Sequence, residues 1–210
     1  MLSFDPDVYA LEVITNDVFN INKSYCIFND FPIEDEDNIL TLPIGVYSQL
    51  KINPNGWVPV LIWEDGAMYE CAAITIFLCD RHQNANLAPA PNSPLRGLFL
   101  QTLVYFSSSV QTAFQQDYHP YRFADTVEDE PGSQRRGHRR LMETLQIIDN
   151  QIDNKKWILG KTFSAADIYL YMLTTWLEPS RGHPKLSNFP NVKRVVNQVS
   201  TRSSIKLVYG

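Results

Sequence analysis

The sequence is poor in cysteine, and its cysteines follow no redox or zinc-binding pattern. Cys26, Cys71 and Cys79 are the only three among 210 residues, and no two of them form a Cys-x-x-Cys pair. Thioredoxin-type redox enzymes and structural zinc sites both need cysteines, or cysteines with histidines, at close spacing. We therefore expect no bound metal, and the sequence argues against a thiol–disulfide oxidoreductase. So few cysteines are typical of a reducing compartment.

An excess of positive charge and long apolar runs are missing as well. There are 18 Lys and Arg residues against 23 Asp and Glu residues, which gives a net charge of -5. Nucleic-acid binding needs a basic surface, so we expect no nucleic-acid partner. No apolar run approaches the roughly 20 residues that span a bilayer, and the first residues lack the basic start and apolar stretch of a secretion signal. These absences predict a cytoplasmic localisation and no membrane partner.

The chain does have an ordinary globular composition, 44% hydrophobic and 20% charged. Three prolines fall within residues 84–94, where they exclude a helix interior and sheet pairing. The residues before this segment mix short strand-like and helical runs, whereas those after it are almost entirely helical in pattern. The sequence therefore predicts an α/β domain at 1–83, a linker at 84–94 and an all-helical domain at 95–210.

Hydrophobic periodicity predicts the individual elements. Residues 57–63 are apolar on both faces, as in a buried strand, and a turn signal leads into a further strand at 68–69. Residues 71–81 carry apolar side chains on one face and predict a helix. The remaining predictions are strands at 2–4 and 25–28, and helices at 7–19, at 95–116, at 133–154, from Ser164 onward and at 191–201. The basic cluster at 135–140 is interpreted as the solvated start of its helix.

The segment NPNGWVPVL at residues 53–61 is the first of four motifs that resemble glutathione transferases. In that family the corresponding Val-Pro bond is cis, a geometry that is affordable only before proline. The cis bond turns out the backbone N–H and C=O groups that bind the cysteinyl part of glutathione like an added strand. The resemblance implies that Trp57, Val58 and Pro59 line a glutathione site. The alternative is a proline at the edge of an ordinary strand.

The second motif is YECAAI at residues 69–74, at a predicted strand-to-helix turn. It resembles the family's Glu-Ser pair, whose serine binds the γ-glutamyl carboxylate of glutathione at a helix N-terminus while the glutamate binds the ammonium. The resemblance implies these roles for Cys71 and Glu70. Because a thiol is a weaker donor than a hydroxyl, we expect a reduced affinity for glutathione. Cys71 is either a reactive thiol or a buried substitute for serine.

Two further motifs concern folding. Residues 159–168, LGKTFSAADI, carry Ser164 and Asp167 at the spacing of a helix capping box, and residues 189–194, FPNVKR, resemble the family's closing helix. With four motifs in this order, the chain is identified as a member of the glutathione transferase family. The resemblance implies a thioredoxin-like α/β N-terminal domain followed by an all-α domain, glutathione as substrate or co-substrate, and a homodimer.

The chain departs from the family where catalysis is expected. Glutathione transferases activate the glutathione thiol with a Tyr, Ser or Cys just after the first strand. The matching residues here are 5–10, DPDVYA, in which Tyr9 has the only hydroxyl. Asp5 and Asp7 would repel a thiolate that they faced. Tyr9 is therefore the candidate catalytic residue, and the alternative is an aromatic side chain that packs the first helix against the sheet.

The pocket for a second substrate has a weaker signature. Residues 105–111, YFSSSVQ, resemble a lining that in bacterial members ends in a histidine near the thiol, a position occupied here by Gln111. Ser108 and Tyr118 are the other candidates, and Arg122 would bind an acidic group. The alternatives are a small-residue face for helix packing and an exposed loop.

The sequence thus favours an enzyme that conjugates glutathione to an electrophilic, hydrophobic small molecule, or uses it as a thiol cofactor on one. The alternative is a catalytically inactive binding protein of the same fold.

Overall fold

The structure, a computed structural model, describes residues 26–27, 53–57, 59–63 and 66–209. The predicted site residues Tyr9 and Val58 lie outside this part, as do the strand predicted at 2–4 and the helix predicted at 7–19. In the part that is described, no helix is both long and apolar enough to cross a membrane.

Short antiparallel strands form the described sheet, in the order β1-β2-β3. They are β1 (Cys26–Ile27), β2 (Val60–Trp63) and β3 (Gly66–Tyr69). Val60 and Leu61 are both fully buried, although successive strand residues face opposite sides of a sheet. Both faces of β2 are therefore covered, which confirms the buried strand predicted from the apolar run. The strand begins at Val60 rather than at residue 57, and a turn at 53–56 precedes it, in which the N–H of Gly56 bonds to the carbonyl of Asn53.

Helix α1 (Cys71–Arg81) begins two residues after β3 ends and has the bounds predicted from the sequence. Ile74 and Leu78 are fully buried on its inner face, as their spacing indicated. Cys79 is buried on the same helix. This burial, with a smaller effect of the neighbouring Asp80, raises the pKa of the Cys79 thiol to about 12. Cys79 is therefore a protonated core residue and not a nucleophile.

Six α-helices follow within residues 82–209. They are α2 (Arg96–Tyr105), α3 (Gln111–Tyr118), α4 (Glu130–Ile152), α5 (Ala165–Thr175), α6 (Pro190–Val199) and α7 (Ser203–Tyr209). Helix α4 begins before residue 133, because Pro131 is well tolerated in a first helical turn. It ends two residues before the predicted end, where Asp153 adopts a φ of 48°. Helix α6 likewise ends before residue 201.

The single helix predicted at 95–116 is interrupted by a π-helical segment, Phe106–Val110, between α2 and α3. Here the N–H of Gln111 bonds to the carbonyl of Phe106, five residues back. The wider turn buries both Phe106 and Val110 completely. Periodicity does not reveal one wide turn, which tertiary packing stabilises and which is frequent at functional sites.

A buried aspartate, Asp167, stabilises the start of helix α5. The Asp167 side chain accepts the N–H of Ile158 and the N–H of Ser164, each at 2.9 Å, and the Ser164 hydroxyl at 3.1 Å. The capping box predicted from these two residues is confirmed. Burial raises the pKa of Asp167 to about 6, although each of these hydrogen bonds opposes the shift.

A second buried carboxylate joins α4 to α6. Asp149 on α4 accepts the N–H of Asn191 at 2.7 Å and the N–H of Val192 at 2.9 Å. These two donors lie in the first turn of α6, where N–H groups have no partner within the helix. A side chain of α4 therefore fixes the start of α6.

Residues 82–95 connect α1 to α2 without an α-helix of their own. Leu87 in this segment is buried, and its carbonyl accepts the N–H of Ala165, the first residue of α5, at 2.8 Å. The connection is thus attached to the helical part. The domain bounds at 1–83, 84–94 and 95–210 stay a prediction.

Candidate functional site

Glu70 occupies an unusual backbone conformation between β3 and α1. Its φ of 79° and ψ of 113° lie in a region that residues other than glycine rarely adopt. The carbonyl of Glu70 accepts the N–H of Ile74 at 2.9 Å. Such a conformation costs about 1–3 kcal/mol and is common at functional sites. The Glu70 side chain is exposed at the start of α1. An anionic side chain therefore lies at a helix N-terminus, the positive end of the helix dipole.

Cys71 is the first residue of α1 and is buried. Its sulfur accepts a hydrogen bond from the Gln111 amide, with 3.7 Å between Sγ and Nε2. Gln111 is the first residue of α3, directly after the π-helical segment. The sequence placed Gln111 in a second-substrate pocket. The structure brings it against Cys71, a residue predicted to bind glutathione.

Tyr169 on α5 orients the Gln111 amide. Its hydroxyl donates to Gln111 Oε1 at 2.6 Å, so the amide oxygen faces Tyr169 and the amide nitrogen faces Cys71. Tyr169 is 2% exposed and packs edge-to-face on Phe106, with 5.5 Å between ring centroids. Sequence reasoning missed this residue. The available signal was a tyrosine in a largely buried helix, where a hydroxyl usually needs a partner.

Trp57 lies at the edge of the same region and is held by a tight turn. The buried Asn53 donates its amide Nδ2 to the carbonyl of Trp57 at 2.6 Å. Gly56, between them, has a φ of 66°, which favours glycine. The Trp57 ring is 42% exposed, and Pro59 is buried at the start of β2. The guanidinium carbon of Arg122 lies 4.7 Å from the Trp57 ring centroid, so the loop after α3 contacts this segment.

The two remaining pocket candidates lie in different environments. Ser108 is exposed on the π-helical segment, and its carbonyl accepts the Thr112 hydroxyl at 2.9 Å. The Tyr118 hydroxyl donates to the carbonyl of Trp176 at 2.9 Å and lies 3.0 Å from Glu178 Oε1. Burial and the hydrogen bond to Glu178 raise the pKa of Tyr118 well above its ordinary value. Tyr118 is thus a neutral donor directed at the segment that follows α5.

A buried polar cluster surrounds Asp117 at the end of α3. Its carboxylate is bonded by His138 Nε2, Arg181 Nε and His183 Nε2, each at 2.9 Å. Ligand atoms of the aspartate and both histidines lie within 4.8 Å of one another, a spacing that could hold a metal ion. However, His183 Nδ1 accepts the N–H of Glu178 at 3.0 Å, so its Nε2 carries the hydrogen and donates to Asp117. We interpret the cluster as a hydrogen-bonded network.

Burial raises the pKa of Asp117, but the hydrogen bonds from Arg181, His183 and His138 outweigh it and hold the pKa below its ordinary value. Burial also lowers the pKa of His183, which favours the neutral ring. Sequence reasoning missed this network because His138 belongs to the basic cluster interpreted as solvated. The His138 ring instead turns inward and lies against Gly182, where an added Cβ would be 2.9 Å from Cε1.

Comparison with known proteins supports the resemblance to glutathione transferases. Residues 112–203 match the glutathione S-transferase C-terminal domain. Glutathione S-transferase GstA of Escherichia coli O157:H7 is 29% identical over 126 residues, which cover 60% of this chain and 59% of that protein. The chain thus aligns with about 60% of the length of the curated relatives it matches.

Solved structures show the same architecture. A sphingomonad glutathione S-transferase complexed with glutathione is 26% identical, with a TM-score of 0.65 over 76% of this chain and 75% of that chain. A beta-class glutathione S-transferase of Sphingomonas chungbukensis has a TM-score of 0.74 over 98% of this chain and 94% of that chain. At 20% identity the second likeness shows the fold alone. The predicted fold class, a thioredoxin-like α/β domain followed by an all-α domain, is confirmed, and the comparisons support the resemblance to the glutathione S-transferase family.

Proposed function

We propose that the chain binds glutathione at the start of α1 and uses its thiol on an electrophilic, hydrophobic small molecule. The observation that carries this proposal is the meeting of Glu70, Cys71 and Gln111 at one helix N-terminus. The likeness to a sphingomonad transferase complexed with glutathione supports the same ligand.

The γ-glutamyl and cysteinyl parts of glutathione each have partners in this proposal. The backbone N–H groups at the start of α1 bind the γ-glutamyl carboxylate, because a helix N-terminus is a ready anion site. The exposed Glu70 carboxylate binds the ammonium group. The backbone of Val58, between Trp57 and Pro59, binds the cysteinyl part and so holds the thiol beside β2.

Gln111 compensates for the cysteine at position 71. A thiol is a weak donor, whereas an amide nitrogen carries two hydrogens. With its oxygen bonded to Tyr169, the amide directs its nitrogen at Cys71, with 3.7 Å between Nε2 and Sγ. In this proposal Gln111 supplies a stronger side-chain donor than the Cys71 thiol, and it belongs to the glutathione site.

The reaction we propose is nucleophilic attack by the glutathione thiolate. The thiol loses its proton to solvent, and the hydroxyl of Tyr9 stabilises the thiolate with a hydrogen bond. The sulfur then forms a bond to the electrophilic carbon, and the leaving group departs with its electron pair. The apolar substrate would lie between the start of α3 and the loop that follows this helix.

Two measurements test the proposal: calorimetric titration with glutathione, and turnover with a chlorinated nitroaromatic acceptor. Absence of binding at millimolar glutathione would refute the proposed site. Binding without turnover would favour a catalytically inactive binding protein, the alternative suggested by Asp5 and Asp7 beside Tyr9. If turnover occurs, Tyr9→Phe should abolish it, whereas an unchanged rate would remove Tyr9 from the mechanism.

A further inference from the structure

Arg122 lies against two exposed aromatic rings at the edge of the candidate site. Its guanidinium carbon is 4.7 Å from the ring centroid of Trp57 and 5.6 Å from that of Tyr121. The Trp57 ring is 42% exposed and the Tyr121 ring is 60% exposed. Cation–π contacts of this kind hold the guanidinium plane in place. We call these three residues the rim cluster.

Both sides of the rim cluster are anchored by buried residues. Trp57 is held by the buried Asn53 amide at 2.6 Å. Arg122 ends a 3₁₀ turn, Pro120–Arg122, whose proline is buried, and its N–H bonds to the carbonyl of His119 at 3.0 Å. Trp57 and Arg122 therefore each project from a short, hydrogen-bonded turn rather than from a long loop.

The charge of Arg122 is not neutralised in the described part of the chain. Arg96 and Arg181 pair with carboxylates at 2.8 and 2.9 Å, whereas no described carboxylate lies within ion-pair distance of Arg122. A guanidinium that contacts aromatic rings through its flat face leaves the N–H groups in its plane available to another ligand. Those groups match a carboxylate in a bidentate geometry.

We propose that the rim cluster binds the carboxylate of the second substrate, so that the preferred electrophile is an aromatic acid. This inference rests on the proposed function. The Arg122 guanidinium binds the acid group, and the exposed faces of Trp57 and Tyr121 contact the aromatic body. Trp57 directly precedes Val58, whose backbone is proposed to bind the cysteinyl part of glutathione, so the acid group would be anchored near the glutathione thiol.

A pair of acceptors that differ by one carboxylate tests the proposal: a chlorodinitrobenzene and the corresponding chlorodinitrobenzoate. In both, the thiolate sulfur forms the bond to the ring carbon, and chloride leaves with the bonding electrons. Arg122→Gln should raise KM for the benzoate by about tenfold more than KM for the neutral compound. Arg122→Lys should recover part of this preference, because the lysine keeps the charge but lacks the planar fork.

Arg139→Gln is the matched control, since Arg139 is an exposed arginine on α4 outside the rim cluster. It should leave the ratio of the two KM values as it is in the unmodified protein. Equal changes for both acceptors in Arg122→Gln would overturn the proposal.

Direct binding separates this inference from the proposed function. Dinitrobenzoate and dinitrobenzene, which lack the leaving group, can be titrated by quenching of tryptophan fluorescence without any turnover. The unmodified protein should bind the acid about tenfold more tightly, and Arg122→Gln should bind both about equally. Equal affinities in the unmodified protein would overturn the rim proposal even if glutathione binds. Absence of glutathione binding would refute the proposed function and leave this comparison as the deciding test.

Discussion

Replacing Asp117 by alanine tests whether the buried polar cluster holds the helical part together. Asp117 is 2% exposed and accepts hydrogen bonds from His138 on α4 and from Arg181 and His183 after α5. Alanine removes the only negative charge of the cluster and takes this acceptor away from both histidine rings. We expect the packing of α3, α4 and the segment after α5 to weaken together.

The size of the effect follows from burial. Hydrogen bonds to a charged group contribute about 1.5–3 kcal/mol, and breaking a buried charged network costs about 3–5 kcal/mol. The Arg181 side chain is 38% exposed, so solvent screens its share. We therefore expect Asp117→Ala to lower the free energy of unfolding by about 3 kcal/mol. Asp117→Asn keeps one acceptor oxygen and should lower it by about 1–2 kcal/mol.

The assay is urea unfolding followed by tryptophan fluorescence. Trp176 reports on this region, because its ring centroid lies 5.3 Å from that of Phe114 on α3. Asp125→Asn, an exposed carboxylate in the loop before α4, is the matched control and should change the free energy of unfolding by less than about 0.5 kcal/mol. A loss below about 1 kcal/mol for Asp117→Ala would refute the reasoning, because a neutralised or solvated cluster would then be indicated.

The pH dependence gives a second check. Because the folded pKa of Asp117 is lowered, its contribution is present above the ordinary carboxyl value of about 3.9 and is lost as pH falls through the folded value. The stability difference between the unmodified protein and Asp117→Asn should therefore be full near neutral pH and narrow below about pH 4. The pH dependence of Asp167 runs in the opposite direction, because its folded pKa is raised. Its contribution to stability is full below about pH 3.9 and is lost as pH rises through about 6. The variant difference isolates Asp117.

Four further predictions concern the site, the packing and the assembly. Tyr169→Phe should raise the Kd for glutathione about threefold to tenfold in calorimetry, because the Gln111 amide loses its orienting partner; an unchanged Kd contradicts the role given to this pair. Glu70→Ala should also weaken glutathione binding, by about tenfold, with the circular dichroism spectrum unchanged. Gly182→Ala should lower the free energy of unfolding by about 1–3 kcal/mol, because φ is 100° and the new Cβ would lie 2.9 Å from the His138 ring; normal stability would refute this packing. Light scattering should give a homodimer, and a 24.1 kDa species would contradict it.

The sequence by itself determined the elements whose causes are local. Helix α1, Cys71–Arg81, has its predicted bounds because the apolar periodicity that predicts it lies within this one segment. The capping box of α5 was predictable for the same reason, since Ser164 and Asp167 are three residues apart. The resemblance to glutathione transferases was recognisable because short motifs of this kind occur in a fixed order.

Only the tertiary structure decided the arrangement of the candidate site. Tyr169 and Gln111 are 58 positions apart, and Asp117 and His183 are 66 positions apart. The π-helical turn that brings Gln111 to Cys71 leaves no trace in the periodicity of the chain. Periodicity and spacing report neighbours within a few residues, whereas a buried polar group takes its partner from whichever element packs beside it. Folding therefore brings Gln111, which the sequence predicts in a second-substrate pocket, against Cys71, which is predicted to bind glutathione.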